Sequence, residues 1–263
     1  MPSKLQYKIF SVYPREAMEP NEVIECEFQF GSIAGSVGNE INPSKKPGIN
    51  EDGGMVIVTE NKIISLLIDG HYSRDTTNIL LDEFKKNIDE NSQQLHVEVE
   101  DYNFLKTCNW FTRKVIEELR DFNAEGEASF MISLIDLQRN KLLLYSVGDV
   151  MLFINDPLRG WAPYYQLGQR HYYEWINRSG VAGYHFHSIE YNTSMSIIIT
   201  TDGLIDDPVI HIEEIEKIFH LVNNTDENNK AGTLVKYALK ELDFDDNITC
   251  IHINPTNRTK SIN

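Results

Sequence analysis

Apolar residues recur along this chain with two different periods, and the changes of period outline its elements. A stretch around Glu25–Phe30 predicts a strand, and the Gly-, Ser-, Asn- and Pro-rich segment from Ile33 to Asn50 predicts a loop after it. Gly54–Val58 and Lys62–Ile68 predict two strands joined by a turn near Asn61. Ile63, Ile64, Leu66, Leu67 and Ile68 make the second nearly all apolar, a pattern that expects burial on both faces. The period then lengthens. Ile79, Leu80, Phe84 and Ile88 predict a helix over Asp75 to Ile88, and Leu105, Phe111, Val115, Ile116 and Leu119 predict another over Asp101 to Phe122. Ser129–Leu137 and Lys141–Val147 read as a hairpin turning through Gln138-Arg139-Asn140, and Met151–Ile154 as a short strand. An irregular, aromatic region runs from Pro157 to Tyr191. Ser196–Thr200 predicts a buried strand, Ile212–Val222 and Lys230–Leu242 predict helices, and Ile248–Ile253 a last strand. Antiparallel strands around two inserted helix pairs predict an α+β fold: two packed sheets, with helices on their outer faces.

No internal repeat, low-complexity tract or long linker divides the 263 residues, so one domain is expected over 1–263, with its core at about 22–254. No run of about 18 apolar residues occurs, so no membrane span is expected. The N-terminus carries Lys4 and Lys8 without an apolar core or a small-residue cleavage site, and it does not read as a secretion signal. Cys26, Cys108 and Cys250 are odd in number and form no CxxC pair, which suits a reducing, cytoplasmic compartment better than a disulfide framework or thiolate zinc site. A formal charge of −16 argues against nucleic acid and anionic membranes as partners, because Lys and Arg carry that binding.

Part of this acidity is clustered. Asn50-Glu51-Asp52 precedes a predicted strand, Asp69-Gly70-His71 ends one, Gly148-Asp149 ends the hairpin, Asp202-Gly203 follows another strand, and Asp245-Asp246-Asn247 begins the last. Taken singly, Asp-Gly is above all a turn dipeptide. Taken jointly, five carboxylate-bearing strand ends would form a concentrated negative site. Such a site is costly through like-charge repulsion unless a divalent cation reverses the sign. Oxygen ligands with no Cys among them suit Mg²⁺ or Mn²⁺ rather than Zn²⁺.

The order Asn50-Glu51-Asp52, Leu66-Leu67-Ile68-Asp69-Gly70-His71, Val147-Gly148-Asp149, Ile199-Thr200-Thr201-Asp202-Gly203-Leu204-Ile205-Asp206 and Asp246-Asn247-Ile248-Thr249 resembles the PP2C (PPM) metal-dependent protein serine/threonine phosphatases. The resemblance runs from about Phe28 to Ile253. It implies a two-sheet antiparallel β-sandwich flanked by helix pairs, in α/β/β/α layers, with a metal centre at one end. It further implies two Mn²⁺ or Mg²⁺ ions, bridged by Asp69 and completed by the Gly70 carbonyl, Asp202 and Asp246. Asp52 and Glu51 would serve the second ion mainly through water, and Asp149 with Asp202 a weaker third. Two cations roughly 3.5–4 Å apart would activate a water for in-line attack on phosphorus. Asp69 and His71 are the catalytic candidates, His71 as the acid for the leaving Ser or Thr oxygen. The implied partners are a phosphorylated protein and a cognate Ser/Thr kinase.

The sequence departs from that pattern in places. Pro47 and Gly48 stand where the family commonly has an Arg that grips phosphate, which leaves Lys46, beside Lys45, and Asn247 as candidate phosphate-binding residues. Val150-Met151 replaces a polar pair after Gly148-Asp149, and Tyr72-Ser73 follows His71 where the family has two glycines. His185 and His187 share a strand face but have no evident third ligand, so ordinary strand histidines are expected. Trp161, Tyr164, Tyr165, Tyr172, Tyr173 and Trp175 form an aromatic cluster expected to shape a substrate flap or a core. Three readings stay open: an active phosphoprotein phosphatase, a catalytically silent PP2C-like regulatory or binding module, and a cation-stabilised structural domain.

Overall fold

The computed structural model describes residues 7–16, 18–19, 22–37, 49–91, 100–156, 160–165, 174–205, 212–225, 229–242 and 246–256. The chain order is β1 (Lys8–Val12), β2 (Val23–Phe28), β3 (Gly31–Ser36), β4 (Gly53–Val58), β5 (Lys62–His71), α1 (Arg74–Asn91), α2 (Asp101–Asp121), β6 (Glu127–Asp136) and β7 (Lys141–Val147). It continues with β8 (Met151–Asp156), β9 (Gly160–Tyr165), β10 (Ile176–Asn177), β11 (Gly180–Val181), β12 (His185–Glu190), β13 (Ser196–Thr200), α3 (Ile212–Asn224), α4 (Lys230–Tyr237) and β14 (Ile248–Ile253). A π-helical turn, Ala238–Leu242, extends α4.

Two antiparallel sheets result. One runs β1-β4-β5-β6 and continues beside β6 with β7-β12 and with β10-β11, and the other runs β2-β3-β14-β13-β8-β9. Strand periodicity sorts their side chains into three layers. Met55, Ile57, Ile64, Leu66 and Ile68 meet Leu80, Phe84, Phe111 and Val115 of α1 and α2. Val56, Ile63, Leu67 and Met131 meet Ile33, Leu152, Ile197, Ile199 and Ile251 between the sheets. Ala34, Phe153, Ile198 and Cys250 meet Ile218, Phe219, Leu234 and Val235 of α3 and α4. The architecture is therefore α/β/β/α, as expected.

The helices form as their patterns predict. Phe104, Cys108, Phe111, Val115 and Leu119 line the buried face of α2, and Phe111 bridges Phe84 of α1 and Phe130 of β6 by edge-on ring contacts. Asn229 caps α4, its Oδ1 accepting from the Gly232 amide at 3.0 Å.

Three strand regions differ from the sequence expectation. The segment read as a loop from Ile33 begins inside β3, an internal strand of the second sheet. Its small residues reflect close approach rather than a turn. A Cβ at Gly31 would stand 1.9 Å from the His252 carbonyl oxygen, and Ser32 Oγ accepts the Ala231 amide of α4 at 3.0 Å. β1 adds to the edge of β4, with Val12 opposite Gly54. The irregular aromatic region contains β9 to β12, of which β12 pairs with β7 from Lys141 to Ser146.

His252 of β14 is 2% exposed, and neither ring nitrogen has a hydrogen-bond partner among the described residues. Burial, helped by Lys230, pushes its pKa down to about 3 from an ordinary 6.5. The folded chain holds this imidazole neutral where the unfolded chain protonates it. Its contribution is thus complete above pH 6.5 and lost as pH falls from there toward 3. Comparing urea unfolding of wild type and His252→Leu between about pH 6 and 4, the wild type is expected to lose about 1.4 kcal/mol per pH unit more. Parallel pH profiles would show that the imidazole is not the acid-sensitive group.

Candidate functional site

β5 delivers the central carboxylate. Its inner face passes through Ile63, Ser65 and Leu67, and the two-residue period continues that face to Asp69. The side chain therefore lies at the end of the space between the sheets, 1% exposed, with Ser129 of β6 as its cross-strand neighbour.

Asp52 arrives from the segment before β4. Its Oδ1 accepts the Gly70 amide at 3.2 Å, and its own amide donates to Asn50 Oδ1 at 3.0 Å. Gly70 has no room for a side chain, since a Cβ would stand 2.2 Å from the Glu51 carbonyl oxygen and 2.5 Å from Thr77 Oγ1. Asn247 holds the same segment from the other sheet. With its carboxamide oriented to satisfy both ends, it donates to the Ile49 carbonyl at 3.2 Å and accepts from the Glu51 amide at 2.9 Å. This engagement makes Asn247 a clasp for the Glu51–Asp52 segment. The main chains of Arg15 and Asn50 pair at 3.0 and 3.2 Å, so the N-terminal strand braces the segment too.

The antiparallel register of β13 and β14 sets Thr200 opposite Cys250, which brings the end of one beside the start of the other. Asp202 stands in the turn closed by the Leu204 amide on the Thr201 carbonyl at 3.3 Å. That turn is tied to β14 by the Thr249 amide donating to Thr201 Oγ1 at 3.0 Å. A Cβ at Gly203 would lie 2.0 Å from the Asn247 carbonyl oxygen. Asp246 precedes β14, its Oδ1 accepting the Asn247 amide at 2.6 Å. Asp149 follows Gly148, which has φ 83° and presses on Ser129, where a Cβ would meet Cβ at 2.2 Å.

These turns place five aspartates in one field. Burial raises the Asp69 pKa well above the ordinary carboxylate range, and Asp202, Asp52, Asp149 and Asp246 raise it further, in that order. Glu51 is buried in the same segment. Asp69 Oδ2 and Asp149 Oδ1 are buried without a hydrogen-bond partner among the described residues. Among those residues no three His, Cys, Asp or Glu side chains are already arranged to hold one ion. An all-oxygen donor set with unmade hydrogen bonds suits a hard cation.

His71 is next along the inner face, its side chain 16% exposed and its Nδ1 3.7 Å from Asp69 Oδ1. The imidazole stacks on the Trp175 indole, with centroids 4.9 Å apart and planes at 15°. β10 positions Trp175, because Ile176 pairs with Ala128, itself the β6 partner of Gly70. The aromatic cluster had pointed to Trp175, but nothing in the chain order tied it to His71. Tyr72, following His71, has φ 70° and is 66% exposed. A left-handed backbone at a non-glycine residue costs about 1 kcal/mol or more.

Lys45, Lys46, Pro47, Gly48, Tyr172, Tyr173, Asp206 and Asp245 lie outside the described residues, as do the side chains of Trp161, Tyr164 and Tyr165. His185 and His187 do share a face of β12, and His185 Nε2 lies 2.8 Å from Glu174 Oε2. Burial and then His185 lower the His187 pKa.

No family model matches the sequence, and no curated protein matches it. Solved structures do. Serine-threonine phosphatase 2C from Toxoplasma gondii is similar over 88% of this chain and 98% of its own, at TM-score 0.64 and 11% identity. The catalytic domain of the serine/threonine phosphatase PstP, solved with two manganese ions, matches 88% of this chain and 97% of its own, at TM-score 0.58 and 13% identity. RsbX, solved with magnesium, matches 88% of this chain and 98% of its own, at TM-score 0.55 and 15% identity. The chain has the fold of the PP2C-type serine/threonine phosphatases.

Proposed function

We propose that the chain is an Mg²⁺- or Mn²⁺-dependent phosphatase acting on phosphorylated Ser or Thr in a protein. The observation that carries this reading is Asp69, buried between the sheets with four other aspartates raising its pKa. Such an arrangement is a liability for an apo fold and a donor set for divalent ions. Solved structures of the same fold with manganese or magnesium bound support it. Asp69, Asp52, Asp202, Asp246 and the Gly70 carbonyl are the groups that would hold two ions, with Glu51 in support and Asp149 serving a weaker third. Bound ions would supply an activated water and neutralise phosphoryl charge.

The chain's own residues supply the rest. Asn247, Asn50 and the Gly70 amide fix the Glu51–Asp52 segment against β5, so the carboxylates keep their positions without depending on side-chain rotamers alone. His71, held flat by Trp175, can give a proton to the leaving oxygen of the substrate.

A silent binding module is the second reading. It is favoured by Val150 and Met151, buried in the two cores flanking the second sheet where the resembling phosphatases carry a polar pair.

Hydrolysis of p-nitrophenyl phosphate and of a phosphothreonine peptide decides between them. Activity is expected with Mn²⁺, is abolished by EDTA, and falls about 100-fold or more in Asp69→Asn and Asp202→Ala. A folded protein that binds Mn²⁺ and turns over neither substrate would establish the binding module instead. Thermal melts offer a test independent of turnover. Saturating Mn²⁺ is expected to raise the wild-type Tm by roughly 5 °C or more. In Asp69→Asn that gain should vanish while the metal-free Tm rises, because a neutral side chain removes the buried repulsion. An unchanged or lower metal-free Tm would count against the strained carboxylate cluster. Finally, His71→Ala is expected to slow the phosphothreonine peptide more than p-nitrophenyl phosphate, whose leaving group needs no acid. Equal losses on both substrates would remove His71 from the acid role.

A further inference from the structure

Tyr72 holds a backbone conformation that bulky L-residues avoid, with φ 70°. Nothing in its burial compensates for this, because the ring is 66% exposed. Other large apolar side chains are exposed among the described residues, but Tyr102 and Trp110 lie on α2, Phe122 lies at its end, and Tyr184 stacks on Tyr145. Tyr72 is joined directly to His71, and its ring centroid lies 6.2 Å from the imidazole at 54°. Trp175 stacks on the imidazole, so Tyr72 is the aromatic of this group with open surface. Backbone strain retained beside a reaction centre, with the ring turned to solvent, points to a contact made only when something binds.

We infer that Tyr72 is a specificity-determining residue that receives the side chain flanking the phosphorylated residue, and that this side chain is basic. The inference rests on the phosphopeptide reading above. Two features select a cation. The open face of a Tyr ring attracts ammonium and guanidinium groups. The surrounding charge does so as well: the chain carries a formal −16, Asp75, exposed in the first turn of α1, lies three residues from Tyr72, and the nearer Arg74 is paired with Glu16. The arrangement separates two tasks. The aspartates and His71 address the phosphate, while Tyr72 reads its neighbour.

The test is fluorescence anisotropy in Mn²⁺ with labelled peptides carrying a non-hydrolysable phosphonate in place of the phosphothreonine phosphate, flanked by Arg, Ala or Leu. Wild type is expected to bind the Arg peptide about 5-fold more tightly than the Ala peptide. Tyr72→Gly should lose that preference and Tyr72→Phe should keep it. Glycine accepts φ 70° freely, so a Tm at or above that of wild type is expected and would show that the loss is not misfolding. An Arg preference that survives in Tyr72→Gly would assign the discrimination to the general acidic field and overturn the role of Tyr72. Tighter binding of the Leu peptide, or no binding of any peptide by the wild type, would overturn it equally. p-Nitrophenyl phosphate turnover by the same wild-type preparation is read separately. Its absence would sink the phosphatase reading and leave the anisotropy series to decide on Tyr72.

Discussion

The structure is organised around one unfavourable fact, an aspartate at the end of a closed sandwich with other aspartates facing it. Burial and like charge both resist ionisation of Asp69, and the surrounding fold does nothing to swing it into water. A chain selected for stability alone would have no use for this arrangement. Its persistence explains why so much local structure is spent on holding the neighbouring segments still. Asn247 clasps main-chain groups of Ile49 and Glu51, Asp52 takes the Gly70 amide, and Thr201 takes the amide of Thr249.

Close backbone approach is the means by which the acids converge. Gly70 lies against the Glu51 carbonyl, Gly148 against Ser129, and Gly203 against the Asn247 carbonyl, each with no space for a Cβ. Every one of these contacts joins one acidic segment to another, or to the strand partner of Asp69. The glycines in these motifs thus do more than allow turns. They let separate strand ends touch, so a methyl group at any of them would push an acidic segment away from its neighbour or from the strand partner of Asp69. Around this rigid floor the aromatic residues behave differently. Trp175 is anchored by the pairing of β10 with β6 and covers His71, while Tyr72 is strained and open.

Much of the fold was legible in the chain because its strong elements are strongly patterned. The run from Ile63 to Ile68, apolar but for Ser65, reads as a strand buried on both sides, and Phe104, Cys108, Phe111, Val115 and Leu119 share one face only if helical. β3 was not legible. Gly31, Ser32, Gly35 and Ser36 look like loop residues, and their reason for being small lies in β14 and α4, far away in sequence. β1 and β10 escaped notice for a related cause. They are short strands whose hydrogen bonds are supplied by partners, and local alternation is too brief to announce them.

The order of acidic motifs, and their position at the ends of apolar strands, was determined by the sequence alone, since a two-residue period decides which face of β5 continues to Asp69. Tertiary structure decided the rest. Whether those strand ends meet depends on antiparallel register and sheet packing, which bring Asp202 beside Asp246 and both toward Asp69. It also decided that Asn247 is a clasp and that Trp175 lies on His71, because both relations span segments that share no local pattern. Periodicity records how a residue faces its own strand; only packing records what it faces across the core.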